Sequence, residues 1–553
     1  MRTPRFIRLA AVLTAGALVL SACTGGDGDD GSGEDAGAVA PLTIHANTAN
    51  TYQQNFNPFS PTALQGTKGM LYEPLMIATP MVPGEAQPWL AESMDFNEDG
   101  TVVTFVLREG VAWSDGEAFD ADDVAFTFNL MRDNPAANAG ALDLAEAVAT
   151  DPLTVEVTFN SVAFAFQASI ANTVMVPEHV FADVDPVEFQ NEEPVATGPF
   201  VLEQFGQQLY TLSANEGYWN ADEVEVEQVR YPASSDQTFN SSLQAGEFDW
   251  SGGFVANIDQ IYVSGDPEHR SYWYPGDGLV NLLVNTQTAP FDDVAVRQAL
   301  SAGIDRDQLS EVAMQGYTPA AHPTGLPLPA YESVMSEEYA DAEFSYDVDE
   351  ANAILDEAGY VLGSDGVRTT PAGERMSYAL QIPSSYVDWV TMSGLLQEQL
   401  AKIGVVVEPQ GVSFEAWLEA RNSGNYQMTI ASVAMGLTPY TLFRSMMSSE
   451  YETGPGETVV SNYNRYYDDE ADALLESFAA TSDPEEQQAA FDGLEQIMVE
   501  QLPVIAMLQS PNWFQYNTAR WEGFPTEEDP YALGAPFQFP DNLLVVTNLT
   551  PAG

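Results

Sequence analysis

Aromatic residues with asparagine neighbours are the clearest candidates for binding chemistry in this chain. Pyranose rings present C–H faces that pack on indole and phenol rings, and their hydroxyl groups need amide or carboxylate partners. The combination therefore predicts stacking against a neutral sugar, with hydrogen bonds at the edges of the rings. The candidate ligand-binding residues are Trp250, Trp273, Tyr440, Phe443 and Trp513, with Asn55, Asn257 and Asn512. For any one of these aromatic residues, burial in the hydrophobic core is the alternative interpretation.

Residues that could perform catalysis or hold a metal ion form no recognisable motif. The patterns GxSxG, HExxH and SxxK are missing from the sequence, and its four histidines are scattered. They are His45, His179, His269 and His322. Cys23 is the only cysteine, which excludes a CxxC pair and an internal disulfide. With 82 aspartates and glutamates, a pair of catalytic carboxylates stays an open alternative. We expect a binding protein with no cofactor and no metal site, rather than an enzyme.

The first residues have the composition of an export signal. A start with three arginines precedes an apolar stretch over residues 9–20, which is too short for a permanent membrane span. The tetrapeptide LSAC that ends at Cys23 matches a bacterial lipobox. We therefore predict a signal peptide over residues 1–22, lipidation of Cys23 and a flexible acidic tether over residues 23–40. Such a chain would lie outside the cytoplasm and contact the cell membrane only through its lipid.

The charge of the chain is strongly negative. Lysine and arginine total 17 against 82 acidic residues, a formal net charge of −65, and Lys68 and Lys402 are the only lysines. Such a field repels nucleic acids and anionic lipid surfaces, so neither is expected as a partner. A hydrophobic content of 45% excludes a disordered acidic polymer. The composition favours a solvated surface adapted to salt and predicts a halophilic or salt-tolerant source.

Strand and helix patterns alternate along the chain and predict an α/β fold. Residues 102–107 alternate like a strand with one buried face, and Asp120 can cap the helix that follows the next turn. Beyond residue 292, helical patterns alternate with short apolar runs. One helix is capped by Asp292 or Asp293, another ends at Gly404, and Asp483-Pro484 begins a further one.

Several ordered motifs resemble the solute-binding proteins of ABC importers that form family 5. The motifs are LREGVAWSDGEAFDADDVAFTFNL from Leu107, NPF from Asn57, LYEPL from Leu71, GPF from Gly198, NEGYW from Asn215, GEFD from Gly246 and VRQAL from Val296. Members of this family bind oligopeptides, nickel or oligosaccharides. The resemblance implies a two-lobed type II periplasmic-binding fold of cluster C, with an extra subdomain inserted near the N-terminus. It also implies a monomeric receptor that closes around its ligand and delivers it to two permease subunits driven by cytoplasmic ATPases.

The same resemblance suggests how the lobes are divided along the chain. We expect the first part of lobe I over residues 41–84, the inserted subdomain over 85–194 and the second part of lobe I over 195–286. Lobe II is expected over residues 287–514, and the last part of lobe I over 515–553. The chain would therefore cross between the lobes twice.

The ligand class is suggested by the acidic residues that one segment lacks. Peptide-binding members of the family are expected to place an aspartate against the α-ammonium of the peptide, because a buried ammonium needs a carboxylate. The corresponding segment here, residues 425–447, contains no aspartate or glutamate. Residues 435–444 and 249–278 instead resemble the branch that binds cello-oligosaccharides. We expect a neutral cello- or xylo-oligosaccharide as ligand, and an oligopeptide held by an acid elsewhere in the cleft is the alternative.

Overall fold

The computed structural model describes residues 40–46, 49–138, 140–454 and 456–553. The predicted signal peptide, the lipidation site Cys23 and the predicted tether up to residue 39 lie outside the described residues. Among the described helices, none combines the length and the apolar character needed to cross a membrane.

The described elements alternate between strands and helices, as the sequence pattern predicts. The strands are β1 (Leu42–His45), β2 (Met76–Thr79), β3 (Val82–Pro88), β4 (Ala91–Phe96), β5 (Val102–Leu107), β6 (Leu144–Asp151), β7 (Thr154–Phe159), β8 (Phe200–Gly206), β9 (Leu209–Ala214), β10 (Gln228–Pro232), β11 (Trp250–Ser251), β12 (Arg270–Tyr272), β13 (Gly276–Val284), β14 (Val361–Leu362), β15 (Arg368–Thr369), β16 (Ser377–Pro383), β17 (Val406–Val412), β18 (Met428–Ala434), β19 (Ile505–Pro511), β20 (Gln515–Asn517), β21 (Trp521–Glu522) and β22 (Thr550–Pro551). The helices are α1 (Ala121–Asp133), α2 (Gln167–Ala171), α3 (Glu178–Phe181), α4 (Asp236–Ala245), α5 (Ile258–Ile261), α6 (Val294–Ala302), α7 (Arg306–Ala313), α8 (Val348–Glu357), α9 (Val387–Ala401), α10 (Phe414–Ser423), α11 (Pro439–Met447), α12 (Asp469–Ala479), α13 (Pro484–Gln501) and α14 (Asp541–Asn548).

A seven-stranded sheet forms the first lobe. Its strand order is β12-β20-β11-β1-β10-β9-β8, so β20 from near the C-terminus lies between two strands of the first half of the chain. β1 lies at the centre and runs parallel to both β10 and β11. Leu42 and Ile44 on one face of β1 and His45 on the other are buried, as expected for a central strand covered on both faces.

A five-stranded sheet forms the second lobe, with the order β17-β16-β18-β13-β19. Helices α6 to α13 pack around it and share one large hydrophobic core with its strands. The predicted helix boundaries are confirmed here. The side chain of Asp293 caps α6, Asp483 caps α13 with Pro484 in its first turn, and Gly404 follows α9 with a positive φ.

A smaller four-stranded sheet, β4-β5-β7-β6, forms the inserted subdomain together with α1. Val103, Phe105 and Leu107 of β5 point into its core, which confirms the predicted alternation. Asp120 caps α1 through the backbone N–H of Asp122, as the sequence predicts. The longest family motif therefore starts at the end of β5 and forms the turn and most of α1 in this subdomain.

The chain crosses between the two large sheets at residues 273–275 and again at residues 512–514. β13 pairs with β18 and β19 in the five-stranded sheet, although it falls within the predicted second part of lobe I. We therefore propose the first boundary near residue 274 rather than 286. The second crossing separates β19 from β20, and we keep residue 514 as its proposed boundary.

Candidate functional site

The two crossings lie side by side and join the lobes. The N–H of Trp273 donates to the carbonyl of Phe514 at 3.0 Å, and the N–H of Asn512 donates to the carbonyl of Pro275 at 2.8 Å. Side chains on these segments therefore lie where a ligand held between the lobes would meet both of them. We call the following set the crossover group: Phe254, Tyr272, Tyr274, Asp277, Tyr317, Asn512 and Trp513.

Aromatic rings of the crossover group pack edge to face around Trp513. The centroid of its indole lies 4.7 Å from that of Tyr274 and 5.2 Å from that of Phe254. Tyr272 lies 4.9 Å from Tyr274, and Tyr317 makes an edge contact with both tyrosines. All five rings are half-buried, so each keeps part of its surface available. Edge-to-face packing fixes the rings and leaves faces on which an apolar C–H surface can stack.

Elements of both lobes contact each other next to these rings. The N–H of Asn257 donates to Gln315 Oε1 at 2.7 Å, and the N–H of Ile258 donates to the hydroxyl of Tyr317 at 3.2 Å. Residues 257–258 belong to the first lobe, and residues 315–317 follow α7 in the second. The crossover group is therefore bordered by direct contacts between the lobes.

Polar atoms of the crossover group form a chain of hydrogen bonds. Asn512 Nδ2 donates to a carboxylate oxygen of Asp277 at 3.0 Å, and Asn512 Oδ1 accepts the N–H of Ala535 at 2.9 Å. A separate hydrogen bond runs from Gln515 Nε2 to the hydroxyl of Tyr274 at 2.8 Å, outside the chain formed by Asp277, Asn512 and Ala535. The chain links β13 of the second lobe to the C-terminal part of the first lobe.

Burial raises the pKa of the Asp277 carboxyl to about 6, while hydrogen bonds from Asn512 and Ser510 oppose the rise. The folded pKa exceeds the unfolded value of about 3.9, so the folded protein binds the extra proton between these two values. This carboxyl therefore lowers the stability as the pH rises from about 4 to about 6, and its cost is complete above pH 6.

Asp277→Asn is expected to raise the free energy of unfolding by about 1–2 kcal/mol at pH 7.5 and to change it little at pH 4. Asparagine keeps an oxygen that accepts from Asn512 but carries no charge to desolvate. Guanidinium unfolding of both proteins at the two pH values measures the difference. Asp99→Asn, at an exposed position, shows what the loss of one negative charge does by itself. An equal gain from both substitutions would contradict this account of Asp277.

Three of the predicted site residues lie at the crossings. Trp513 and Asn512 belong to the crossover group, and Trp273 is half-buried beside them with its N–H in the bridge between the crossings. Asn257 is exposed and lies at the contact between the lobes, where its backbone N–H, rather than its amide, makes the hydrogen bond.

Trp250 was expected to stack on a ligand, and its position does not support this expectation. The residue is fully buried on β11, between β1 and β20, and its indole N–H donates to the carbonyl of Gly534 at 2.6 Å. A ring without exposed surface cannot contact a solute. Because Ala535 donates to Asn512, Trp250 instead holds in place the segment that positions the crossover group.

Tyr440 and Phe443 were also expected at the ligand and are buried in the second lobe. They lie three residues apart on one face of α11, and this face points into the core. Tyr440 stacks on Phe478 with centroids 5.2 Å apart, and Phe443 packs against Phe491. Their helical spacing is the signal that indicated a core position.

Asn55 lies apart from the crossover group. Its amide donates to the hydroxyls of Ser60 and Thr62, and its oxygen accepts the N–H of Asn57. The side chain is buried and shapes the loop of residues 55–62. The prediction that it contacts a ligand is not supported by this position.

The structure adds Phe254, Tyr272, Tyr274, Tyr317 and Asp277 to the candidate site. Tyr272 and Tyr274 flank Trp273 in the sequence, and the alternation of that segment decides which rings meet Trp513. Tyr317 is about 40 residues from the first crossing in the sequence, and no motif around it indicated a place in the site. Asp277 stands four residues after Trp273, where the sequence does not show that its carboxyl becomes partly buried.

The segment without acidic residues has a structural explanation. Residues 428–434 form β18 in the interior of the five-stranded sheet, and residues 439–447 form the largely buried α11. Acidic side chains are rarely buried without a partner, so burial alone accounts for much of their absence. Asp277 also lies beside this segment, since its carbonyl accepts the N–H of Met435. The segment is therefore weaker evidence for a neutral ligand than the sequence suggests.

Comparison with known proteins identifies the family. The family described as "Bacterial extracellular solute-binding proteins, family 5 Middle" matches residues 85–454, which is more than half of the chain. The chain belongs to this family. The sequence resemblance to family 5 is thereby confirmed.

Relatives and solved structures agree with this membership. Protein XP55 of Streptomyces lividans is 28% identical over 536 residues, covering 94% of this chain and 91% of the relative. Di/tripeptide-binding protein 1 of Pseudomonas aeruginosa is 25% identical over 460 residues, covering 76% and 80%. A periplasmic oligopeptide-binding protein of Thermotoga maritima superposes with a TM-score of 0.83 at 24% identity, covering 92% of this chain and 99% of that one. A second structure of that protein, with bound mannohexaose, gives a TM-score of 0.77.

The family determines the general function of this member. Family 5 proteins are extracytoplasmic receptors that bind a solute for an ABC importer, and they are binding proteins rather than enzymes. The two-lobed α/β architecture expected from the sequence is confirmed by these structures. Among the described residues, no three histidine, cysteine, aspartate or glutamate side chains group together as a metal site would require.

Proposed function

We propose that this family 5 receptor captures a neutral oligosaccharide of the cello- or xylo-oligosaccharide class at the crossover group. The observation that carries the proposal is the arrangement of five half-buried aromatic rings beside an amide and a carboxyl group at the junction of the lobes. Sugar rings stack on such faces, and their hydroxyl groups pair with Asp277, which the buried amide of Asn512 holds in place. The mannohexaose bound by the Thermotoga maritima protein supports a sugar ligand within this fold.

Ligand capture would follow from differential affinity. Phe254 belongs to the first lobe, Tyr317 and Asp277 to the second, and Trp513 to the crossing between them. A sugar that touches all of them binds more tightly when the lobes are closed, so it shifts the population toward the closed state. The closed receptor would then deliver the sugar to the permease.

Cellular placement forms the second part of the proposal. We propose that Cys23 carries the lipid anchor and that the monomeric receptor works on the outer face of the bacterial cell membrane. Its partners would be two permease subunits with cytoplasmic ATPases. The sequence of residues 1–23 and the extracytoplasmic position of family members support this placement.

An oligopeptide is the alternative ligand, and one observation favours it. Asp277 supplies at the crossover a carboxyl group that could pair with a peptide α-ammonium, which the acid-free segment at 425–447 lacks. The di/tripeptide-binding relative agrees with this possibility. The two ligand classes therefore need a direct comparison.

Thermal unfolding of the mature domain with two ligand panels tests the proposal. One panel contains cello-, xylo-, manno- and malto-oligosaccharides, and the other contains di- to hexapeptides, each at several KCl concentrations. A ligand at 100 times its dissociation constant stabilises the native state by about 2.7 kcal/mol, which clearly raises the midpoint. We expect the midpoint to rise with β-linked gluco- or xylo-oligosaccharides. A rise with peptides alone would overturn the sugar assignment and point to Asp277 as the ammonium partner.

A further inference from the structure

We propose a second binding site, for a small organic monoanion with an apolar body, in the cavity that Lys68 lines between the first lobe and the inserted subdomain. The cavity has a volume of about 360 Å³. That volume lies within the range of about 300–1,000 Å³ found for small-molecule sites. The site is separate from the proposed sugar function and does not depend on it.

Apolar side chains form most of the wall. Phe59 and Phe539 come from the first lobe, and Met131, Leu142 and Val174 come from the inserted subdomain. None of the described residues that line the cavity is acidic, although 82 of the 553 residues in the chain are aspartate or glutamate. An anion in this cavity would therefore meet no carboxylate on its wall.

Lys68 supplies the positive charge. Its backbone is held in place by two contacts. The Lys68 carbonyl accepts from Asn542 Nδ2 at 3.0 Å, and the backbone of Lys68 forms an isolated β-bridge with that of Tyr72. Within the part of the chain that the structure describes, the ammonium of Lys68 has no ion-pair or hydrogen-bond partner. An ammonium group without a partner at the wall of an apolar cavity would attract and stabilise a bound anion.

The remaining polar groups of the wall are mostly occupied. The amide of Asn172 exchanges two hydrogen bonds with the backbone of Ala78, and the hydroxyl of Thr173 donates to the carbonyl of Ser169. The hydroxyl of Ser60 is bonded to Asn55 and Thr62. A sugar or a peptide, which needs many partners, fits this wall poorly. A carboxylate on a short aliphatic or aromatic body matches one cation and an apolar surface.

The surroundings of Lys68 also affect its reactivity. Although the residue as a whole is exposed, desolvation by neighbouring atoms lowers the pKa of its ammonium, whereas the hydrogen bond to Tyr346 raises the pKa of Lys402. Lys68 should therefore react faster than Lys402 with an amine-acylating reagent at neutral pH. Protection of Lys68 by a bound anion provides a readout that does not rely on stability.

Calorimetric titration with phenylacetate and hexanoate, each paired with its neutral amide, tests the site. The protein is held at the lowest KCl concentration in which it stays folded, so that chloride competes least. We expect both acids to bind and both amides to bind at least about tenfold more weakly, since they lack the charge. Lys68→Met, which keeps the length of the side chain, should weaken binding of the acids by a similar factor. Acylation mapped by mass spectrometry should show protection of Lys68 by the acids and not by the amides.

Lys402→Met is the matched control, because Lys402 is the only other lysine and lies in the second lobe. It should bind the acids like the unmodified protein. Equal affinities of Lys68→Met and Lys402→Met, or no binding of either acid to the unmodified protein, would overturn the proposal. Unfolding curves of both variants show whether a loss of binding reflects a loss of fold. Binding of the amides as tightly as the acids would show an apolar cavity without an anion site.

Discussion

Replacing Trp513 by alanine is expected to weaken oligosaccharide binding by about 30- to 100-fold, because a central aromatic contact contributes about 2–3 kcal/mol. Trp513 lies at the centre of the crossover group and contacts both Tyr274 and Phe254. Its loss removes one stacking face and frees the two rings that it orients. Calorimetric titration with the sugar that gives the largest thermal shift measures the effect.

Two further variants make the result specific to the site. Trp513→Phe retains an aromatic ring and should recover part of the affinity. Tyr386→Ala removes an exposed aromatic ring at the start of α9, away from the crossings, and should bind sugar normally. If folded Trp513→Ala bound the sugar as tightly as the unmodified protein, the crossover group would not be the ligand site.

Replacing Glu73 by alanine is expected to lower the free energy of unfolding by about 3–5 kcal/mol, since it leaves several buried donors without an acceptor. Glu73 is fully buried, and one carboxylate oxygen accepts from Trp89 Nε1 at 2.6 Å and from the Tyr218 hydroxyl at 2.8 Å. Trp219 Nε1 donates to the same oxygen at 3.3 Å. Trp89 lies in the inserted subdomain, whereas Tyr218 and Trp219 belong to the NEGYW motif of the first lobe, so Glu73 joins the two parts.

Glu73→Gln separates the hydrogen bonds from the charge. Burial raises the pKa of the Glu73 carboxyl to about 7, well above its unfolded value of about 4.3. The native carboxyl therefore costs stability as the pH rises from about 4 to about 7, and glutamine, which keeps an acceptor, avoids this cost. Guanidinium unfolding at pH 5 and pH 8 should show Glu73→Gln gaining stability relative to the unmodified protein at the higher pH. If Glu73→Ala were as stable as Glu73→Gln, the shared acceptor would not matter.

The sequence predicts the elements of this fold well because their signals are local. Asp120, Asp293 and Asp483 cap the helices that their positions indicate, because an N-cap acts on the backbone two or three residues away. The alternation of residues 102–107 also indicated a strand with one buried face, and β5 has one. The boundary between the lobes has no local signal, since β13 enters the second sheet through long-range pairing that no local pattern shows.

The candidate site was only partly predictable for the same reason. Trp513 and Trp250 look alike in the sequence, but the ring of Trp250 is fully buried against Phe524 and Gly534, whereas Trp513 is half-buried. Which of two tryptophans meets solvent depends on contacts with residues that are more than 200 positions away in the sequence. The residue types therefore predicted aromatic stacking against a sugar. Which rings are accessible to a ligand could be determined only from the fold.

The place of β20 has a consequence for how the chain acquires its structure during synthesis and export. A chain that emerges N-terminus first releases β1, β10, β11 and β12 long before Gln515–Asn517 follow. Until then β11 and β12 lack the strand that joins them, and the sheet cannot be completed. The first lobe therefore cannot complete its folding until almost the whole polypeptide has been exported. Truncated products would expose unpaired strand edges. We therefore expect them to be degraded or to aggregate, rather than to fold into a partly active receptor.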